Sequence, residues 1–116
     1  MFEYIFTIQY KDQFAGIVGF KNTDKVNRKT EIGYWLSEVF QKKGIITKSV
    51  AMLCDFAFKA LGINRLQIKS TVGNRSSNIP NSLGFRLEGI ERNGELLNDG
   101  LYADLEVYSK LKSDLI

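Results

Sequence analysis

Hydrophobic and polar positions alternate along the first third of the chain, and the period then changes. Phe2–Tyr10 (FEYIFTIQY) interleaves aromatic and β-branched residues with polar ones, the pattern of a strand with two unlike faces. Ala15–Phe20 (AGIVGF) is a second apolar run, Asn22–Lys29 (NTDKVNRK) a polar connection, and Glu31–Leu36 (EIGYWL) a third strand. Together they predict an antiparallel meander. From Ile46 the apolar positions Ile46, Val50, Leu53, Ala57 and Leu61 recur at helical spacing, and Gly62 with Asn64 ends the helix. Arg65–Thr71 alternates again, with Leu66 and Ile68 on one face. A short helix over Ser77–Leu83 stops at Gly84, and Phe85–Glu91 and Leu101–Leu111 are two last strands joined by Asn93–Gly100 (NGELLNDG). The order β-β-β-α-β-α-β-β is that of one α+β domain with a mixed, mostly antiparallel sheet.

Composition narrows the chemistry. The 116 residues suffice for one domain with a real core and are too few for two. The sequence contains no histidine, which excludes His-based triads, imidazole bases and His-ligated metals. A single cysteine, Cys54, forms no disulfide within the chain, so a cytoplasmic setting is expected. It falls in the helical apolar pattern and reads as core. No segment is apolar and long enough to span a membrane, and the N-terminus carries an acid and no basic region, so a signal peptide is not expected. The net charge of +3 is spread along the chain without a basic stripe, so a nucleic-acid partner is not expected.

The junction between the third strand and the long helix is the informative stretch, QKKGIITK over Gln41–Lys48. Its plain reading is a helix start with solvated lysines. Its sharper reading is an anion cradle. A helix N-terminus presents unpaired N–H groups and partial positive charge, Gly44 allows close approach to the backbone, and Lys42 and Lys43 add field.

The run Gln41-x-x-Gly44-x-Ile46 resembles the pyrophosphate-binding signature of the GNAT N-acetyltransferases, Q/R-x-x-G-x-G/A, with Ile46 where a small residue is usual. Other pieces recur in order: Gly33-Tyr34-Trp35-Leu36, Gly62-x-Asn64-Arg65, Asn74, Ile79-Pro80 and Leu83-Gly84-Phe85. As a set they are similar to the RimJ/RimL-like branch, which acetylates N-terminal amines of ribosomal proteins. The resemblance implies a GNAT-like fold over residues 1–116, without the strand and two helices that precede the meander in the family. It implies acetyl-CoA as cosubstrate, held by Trp35, Leu36, Ser37, Gln41, Lys42, Lys43, Gly44, Ile45, Ile46, Thr47 and Asn74. Asn74 would bond the pantetheine arm, and backbone N–H near Leu36 would face the acetyl carbonyl. A serine would protonate the leaving thiolate. Counting from Asn74 makes it Ser77, and counting back from Pro80 makes it Ser76.

The implied reaction is direct attack of a primary amine on the thioester through a tetrahedral intermediate, without an acyl-enzyme or a metal. Glu31 and Glu38 flank the strand as candidate bases, beside the plainer reading of surface carboxylates. The acceptor is a protein N-terminus or a small amine. The alternative is a degenerate GNAT domain that binds CoA or dimerises without turnover. Phe2–Tyr10 would be an apolar edge strand, and that predicts a homo-oligomer such as a dimer.

Overall fold

The computed structural model describes residues 3–41, 44–73 and 78–115. Six strands form one sheet: β1 (Tyr4–Tyr10), β2 (Gln13–Asp24), β3 (Lys29–Leu36), β4 (Arg65–Thr71), β5 (Arg86–Leu96) and β6 (Tyr102–Leu111). Their order across the sheet is β1-β2-β3-β4-β6-β5. Only β3 and β4 run parallel, joined by helix α1 (Ile45–Lys59). The second helix, α2 (Asn78–Ser82), lies between β4 and β5. The expected α+β architecture and element order are therefore present, with short 3-10 turns added at Glu38–Phe40 and Lys112–Leu115.

Local chemistry explains the elements. Lys11 and Asp12 both have positive φ, 50° and 66°, and so close β1 and β2 as a two-residue hairpin whose twist matches the strands. In α1, Val50, Leu53, Cys54, Ala57 and Phe58 are buried, one stripe at spacings of three and four. The helix stops at Lys59, with Gly62 just beyond it at φ +67°, so Leu61 lies outside the helix that the periodicity had extended to it. The strand β4 alternates as expected, with Leu66 and Ile68 essentially inaccessible.

The core lies on one face of the sheet. There Phe20, Ile32, Leu66 and Ile68 meet Val50 and Phe58 of α1, with Ile79 and Leu83 packed alongside. Strand alternation turns Tyr34 to this face and Trp35 to the other, where Trp35 stacks on Phe14 with ring centroids 6.4 Å apart. Cys54 is buried, and burial pushes its thiol up to about 12, which leaves it inert.

The helix-free face carries an ion-pair network near one end of β4. Arg65 bonds both oxygens of Glu88, at 2.6 and 2.8 Å, and the Ser109 hydroxyl donates to Glu88 at 2.7 Å. The hydrogen bonds from Arg65 and then Ser109 hold the Glu88 carboxyl at about 2, below its ordinary 4.5. A depressed carboxylate stabilises the fold above its unfolded pKa and loses that contribution as pH falls through the folded one. Part of the acid destabilisation between about 4.5 and about 2 should therefore come from Glu88. The pair is partly exposed, so solvent screens it. In urea unfolding, Glu88→Gln should be less stable than wild type at pH 7, and the gap should narrow steadily below pH 4.5. Parallel stability curves across that range would contradict the assignment.

Candidate active site: a helix N-terminus beside a split sheet

The parallel pairing of β3 with β4 covers only Lys29–Arg65, Thr30–Leu66 and Glu31–Gln67. Beyond it the two strands stop pairing with each other, although each stays tied to its outer neighbour. On one side β3 continues against β2 as far as Leu36–Gly16. On the other, β4 continues against β6 as far as Thr71–Leu105. The sheet thus opens into a cleft between Ile32–Leu36 and Ile68–Thr71. Backbone groups lining such a cleft are offered to whatever enters it.

The chain leaves the cleft at Leu36 and reaches α1 within eight residues. The Ser37 N–H donates to the Ala15 carbonyl at 2.7 Å, fixing the end of β3 to β2. The Gln41 side-chain amide folds back and donates to the Leu36 carbonyl at 3.4 Å. Gly44 caps α1 in the left-handed region, at φ 73° and ψ 5°, and supplies no side-chain cap. A Cβ on Gly44 would meet nothing within 4 Å among the described residues, which leaves the backbone there open to a ligand on that side. The first turn of α1 contains no acidic residue, and Lys59 sits in the last turn. The N–H groups of Ile45, Ile46 and Thr47 lie in the first turn, where no helical carbonyl is in reach. A fifteen-residue helix brings its full terminal partial charge to this point.

Several of the expected site residues come together here. Leu36, Ser37 and Gln41 lie at the end of β3 and in the turn after it, and Gly44, Ile45, Ile46 and Thr47 at the start of α1. Ile46 packs its side chain against the core together with Ile45, which explains how a large residue is accommodated at this position. Trp35 is adjacent in sequence, but its ring lies on the opposite face of the sheet. Lys42, Lys43, Asn74, Ser76 and Ser77 lie outside the described residues.

Glu31 does not join this group. It sits five residues back from Leu36, about 17 Å along an extended strand. Its carboxylate is buried, paired with Lys21 at 3.5 Å and accepting from the Asn22 amide at 3.2 Å. It lies where β3 and β4 still pair, so an ion pair at the closed end of the cleft is its structural role. Glu38 is exposed in the 3-10 turn.

Two residues that sequence reasoning passed over shape the site. Ala15 and Gly16 form an irregularity in β2, where Ile8 pairs with Gly16 and Gln9 with Phe14. Ala15 holds Ser37, and Gly16 lies against the end of β3. The available signal was a glycine inside a strand pattern, which marks a bulge or a close backbone approach.

A sheet that opens between two parallel strands, followed by a helix whose N-terminus has no side-chain cap, leaves backbone groups free to meet an anionic ligand. The sequence profile of the Acetyltransferase (GNAT) domain matches residues 2–86, and the chain belongs to this family. It is 42% identical over 106 residues to YdaF of Bacillus subtilis (strain 168), whose name proposes a ribosomal N-acetyltransferase; the match covers 90% of this chain and 57% of that protein. It is 34% identical to the ribosomal-protein-serine acetyltransferase of Escherichia coli (strain K12), covering 92% of this chain and 60% of the relative. The structure of RimL, the ribosomal L7/L12 alpha-N-protein acetyltransferase, in complex with coenzyme A superposes with a TM-score of 0.86 at 33% identity, covering 92% of this chain and 60% of that one. The chain therefore spans less than two thirds of the length of each of these relatives.

Proposed function

We propose that the chain binds acetyl-CoA and transfers its acetyl group to a primary amine, most simply the α-amine of a protein N-terminus. The observation that carries this reading is the left-handed Gly44 without a side-chain cap at the start of α1, the helix that follows the strand whose pairing with β4 ends early. The pyrophosphate would accept from the N–H groups of Gly44, Ile45, Ile46 and Thr47, with Lys42 and Lys43 adding positive field. The pantetheine arm would take the place of a strand partner in the cleft. Asn74, and Ser76 or Ser77, carry over from the family resemblance as pantetheine partner and proton donor to the departing thiolate. Backbone N–H at the end of β3 would polarise the acetyl carbonyl.

An α-amine suits a site without histidine. Its reference pKa is roughly 7.7–8.0, against about 10.4 for lysine, so a useful fraction is already neutral near pH 7. Attack by the amine nitrogen forms the C–N bond and breaks the C–S bond. The nitrogen gives up a proton to water, the sulfur takes one from the serine, and the serine regains its proton from that water. Glu31, ion-paired at the closed end of β3, is left out of this scheme. The six strands of one sheet support reading residues 1–116 as one domain. No helix among the described residues is long and apolar enough to cross a membrane, and a cytoplasmic setting is proposed.

Calorimetric titration with acetyl-CoA, followed by mass spectrometry of acetylated peptides with free α-amines, tests the proposal. Micromolar binding is expected, with transfer rising to a plateau as pH passes about 8. A rate still climbing toward pH 10 would assign a lysine or small-amine acceptor instead. Binding without transfer to any amine selects the degenerate-domain reading. No binding by wild type overturns both.

A further inference from the structure

The 3-10 turn Glu38–Phe40, between the end of β3 and the start of α1, has few ties to the fold. None of its residues is fully buried, Ser37 makes no side-chain cap, and Val39 is 74% exposed. Its backbone bonds are local, from the Phe40 N–H to the Ser37 carbonyl and from the Gln41 N–H to the Glu38 carbonyl. The Gln41 side chain reaches the Leu36 carbonyl only at 3.4 Å, a long bond. A segment held this way opens locally at little cost in free energy. Among the described residues, Phe40 is the one side chain of the turn that packs against the core.

What Phe40 meets is the β1–β2 hairpin. Pairing of β2 with β3 ends at Gly16–Leu36, while β1 and β2 pair on to Tyr10–Gln13. Gln13, Phe14 and Ala15 therefore carry the hairpin about 10 Å past the paired end of β3. Alternation along β1 turns Tyr10 to the core face with Ile8, and its ring meets Phe40 edge-to-face, centroids 6.0 Å apart at 68°. The Lys11 ammonium lies 5.4 Å from the centre of the Tyr10 ring, within the range of a cation–π attraction.

We propose that Tyr10 and Phe40 are positioning residues for the coenzyme, pinning the turn to the hairpin and so presetting the segment that joins the end of β3 to the start of α1. The inference rests on the coenzyme reading above. Under that reading the acetyl carbonyl is met at the end of β3 and the pyrophosphate at Gly44 and the first turn of α1, and the turn fixes the separation between the two. A turn free to swing would have to be ordered by the ligand, and that ordering would be subtracted from affinity; a turn already held avoids the cost. The contact is aromatic on both sides and partly buried, so its loss weakens the turn without opening the core.

In calorimetric titration with acetyl-CoA, Tyr10→Leu and Phe40→Leu should each bind roughly five- to tenfold more weakly than wild type. The double variant should bind little more weakly than either single one, because both changes remove the same contact. Tyr10→Phe keeps the ring and should bind as wild type does. Phe20→Leu, buried in the core opposite Ile32, should lower the melting temperature at least as far as Phe40→Leu and still bind normally, which separates positioning from stability. Without coenzyme, hydrogen exchange at the Phe40 and Gln41 amides should quicken in Tyr10→Leu while exchange in the middle of α1 stays unchanged. Wild-type affinity in both leucine variants, with binding still lost in Gly44→Asp, would overturn this inference and leave the coenzyme reading standing. No binding by wild type would overturn both. An affinity that simply follows the melting temperature across all the variants, Phe20→Leu included, would also overturn it, since the two rings would then support the fold alone.

Discussion

Gly44→Asp should weaken acetyl-CoA binding by at least 30-fold, about 2 kcal/mol, while leaving the fold in place. The two halves of this expectation rest on different facts. For binding, an aspartate puts a negative charge at the positive end of a fifteen-residue helix, where the pyrophosphate is proposed to sit. For folding, nothing among the described residues lies within 4 Å of a Cβ at this position, so no clash with them follows. The remaining cost is the left-handed backbone at φ 73°, which Asp tolerates better than most residues. A loss of about 1 kcal/mol or less, a melting shift of a few degrees, is expected. Gly44→Asn is the control, because it matches Asp in size and backbone tolerance and lacks its charge. Calorimetry at low ionic strength should rank the affinities wild type, then Asn, then Asp. If Asn and Asp lose equally, the effect is steric and the field of the helix is not what holds the ligand. If neither loses affinity, the coenzyme binds elsewhere.

Local pattern made much of this fold readable, and the misreadings share a cause. Strand β4 came out at Arg65–Thr71 because its alternation is clean and each neighbouring strand demands it. Helix α1 came out one residue early at its start and two residues short at its end. Its apolar period runs on to Leu61, but Gly62 takes a left-handed turn that the period does not register. Strand β5 runs to Leu96, into the stretch that Asn93-Gly94 marks as a turn. Asn93 does take a positive φ of 51°, yet the strand absorbs it as an irregularity and resumes pairing at Glu95. Local residues report a change of direction and leave open whether pairing continues after it.

The same division holds at the site. Gln41, Gly44 and the first turn of α1 could be located from a short motif, because a helix start is a local event. The cleft could not. It exists because the β3–β4 ladder ends after three residue pairs, which depends on the twist of both strands and on their outer partners. Glu31 was a candidate base because it flanks the strand that carries Trp35 and Leu36. On an extended strand five residues are a long way, and Lys21 and Asn22 claim its carboxylate.

Gly16→Ala tests whether the end of β3 is held where the site needs it, and it should be strongly damaging for the addition of one methyl group. Gly16 pairs with Leu36 across the β2–β3 ladder. A Cβ on Gly16 would run into the carbonyl oxygen of Trp35 and lie 2.9 Å from the Leu36 Cα. Both obstacles are backbone, so no side chain can rotate away to make room. The added methyl must push β3 outward at the point where Ser37 N–H bonds the Ala15 carbonyl. Overpacking of this kind costs roughly 2–4 kcal/mol, which for a domain of this size lowers the melting temperature by roughly 10 °C. The displaced residues are those proposed to face the acetyl group, so the protein that remains folded should also bind acetyl-CoA less tightly. Gly89→Ala is the control, since a Cβ there meets nothing within 4 Å and the residue lies on β5, on the far side of β6 from the cleft. It should melt within a few degrees of wild type and bind normally. Calorimetry of unfolding and of binding, run on both variants, separates the outcomes. A Gly16→Ala protein that melts and binds like Gly89→Ala would mean that β2 yields at its bulge and that β3 is positioned by something else. A protein that loses stability but keeps full affinity would detach the end of β3 from the coenzyme site and leave the helix N-terminus to carry binding alone.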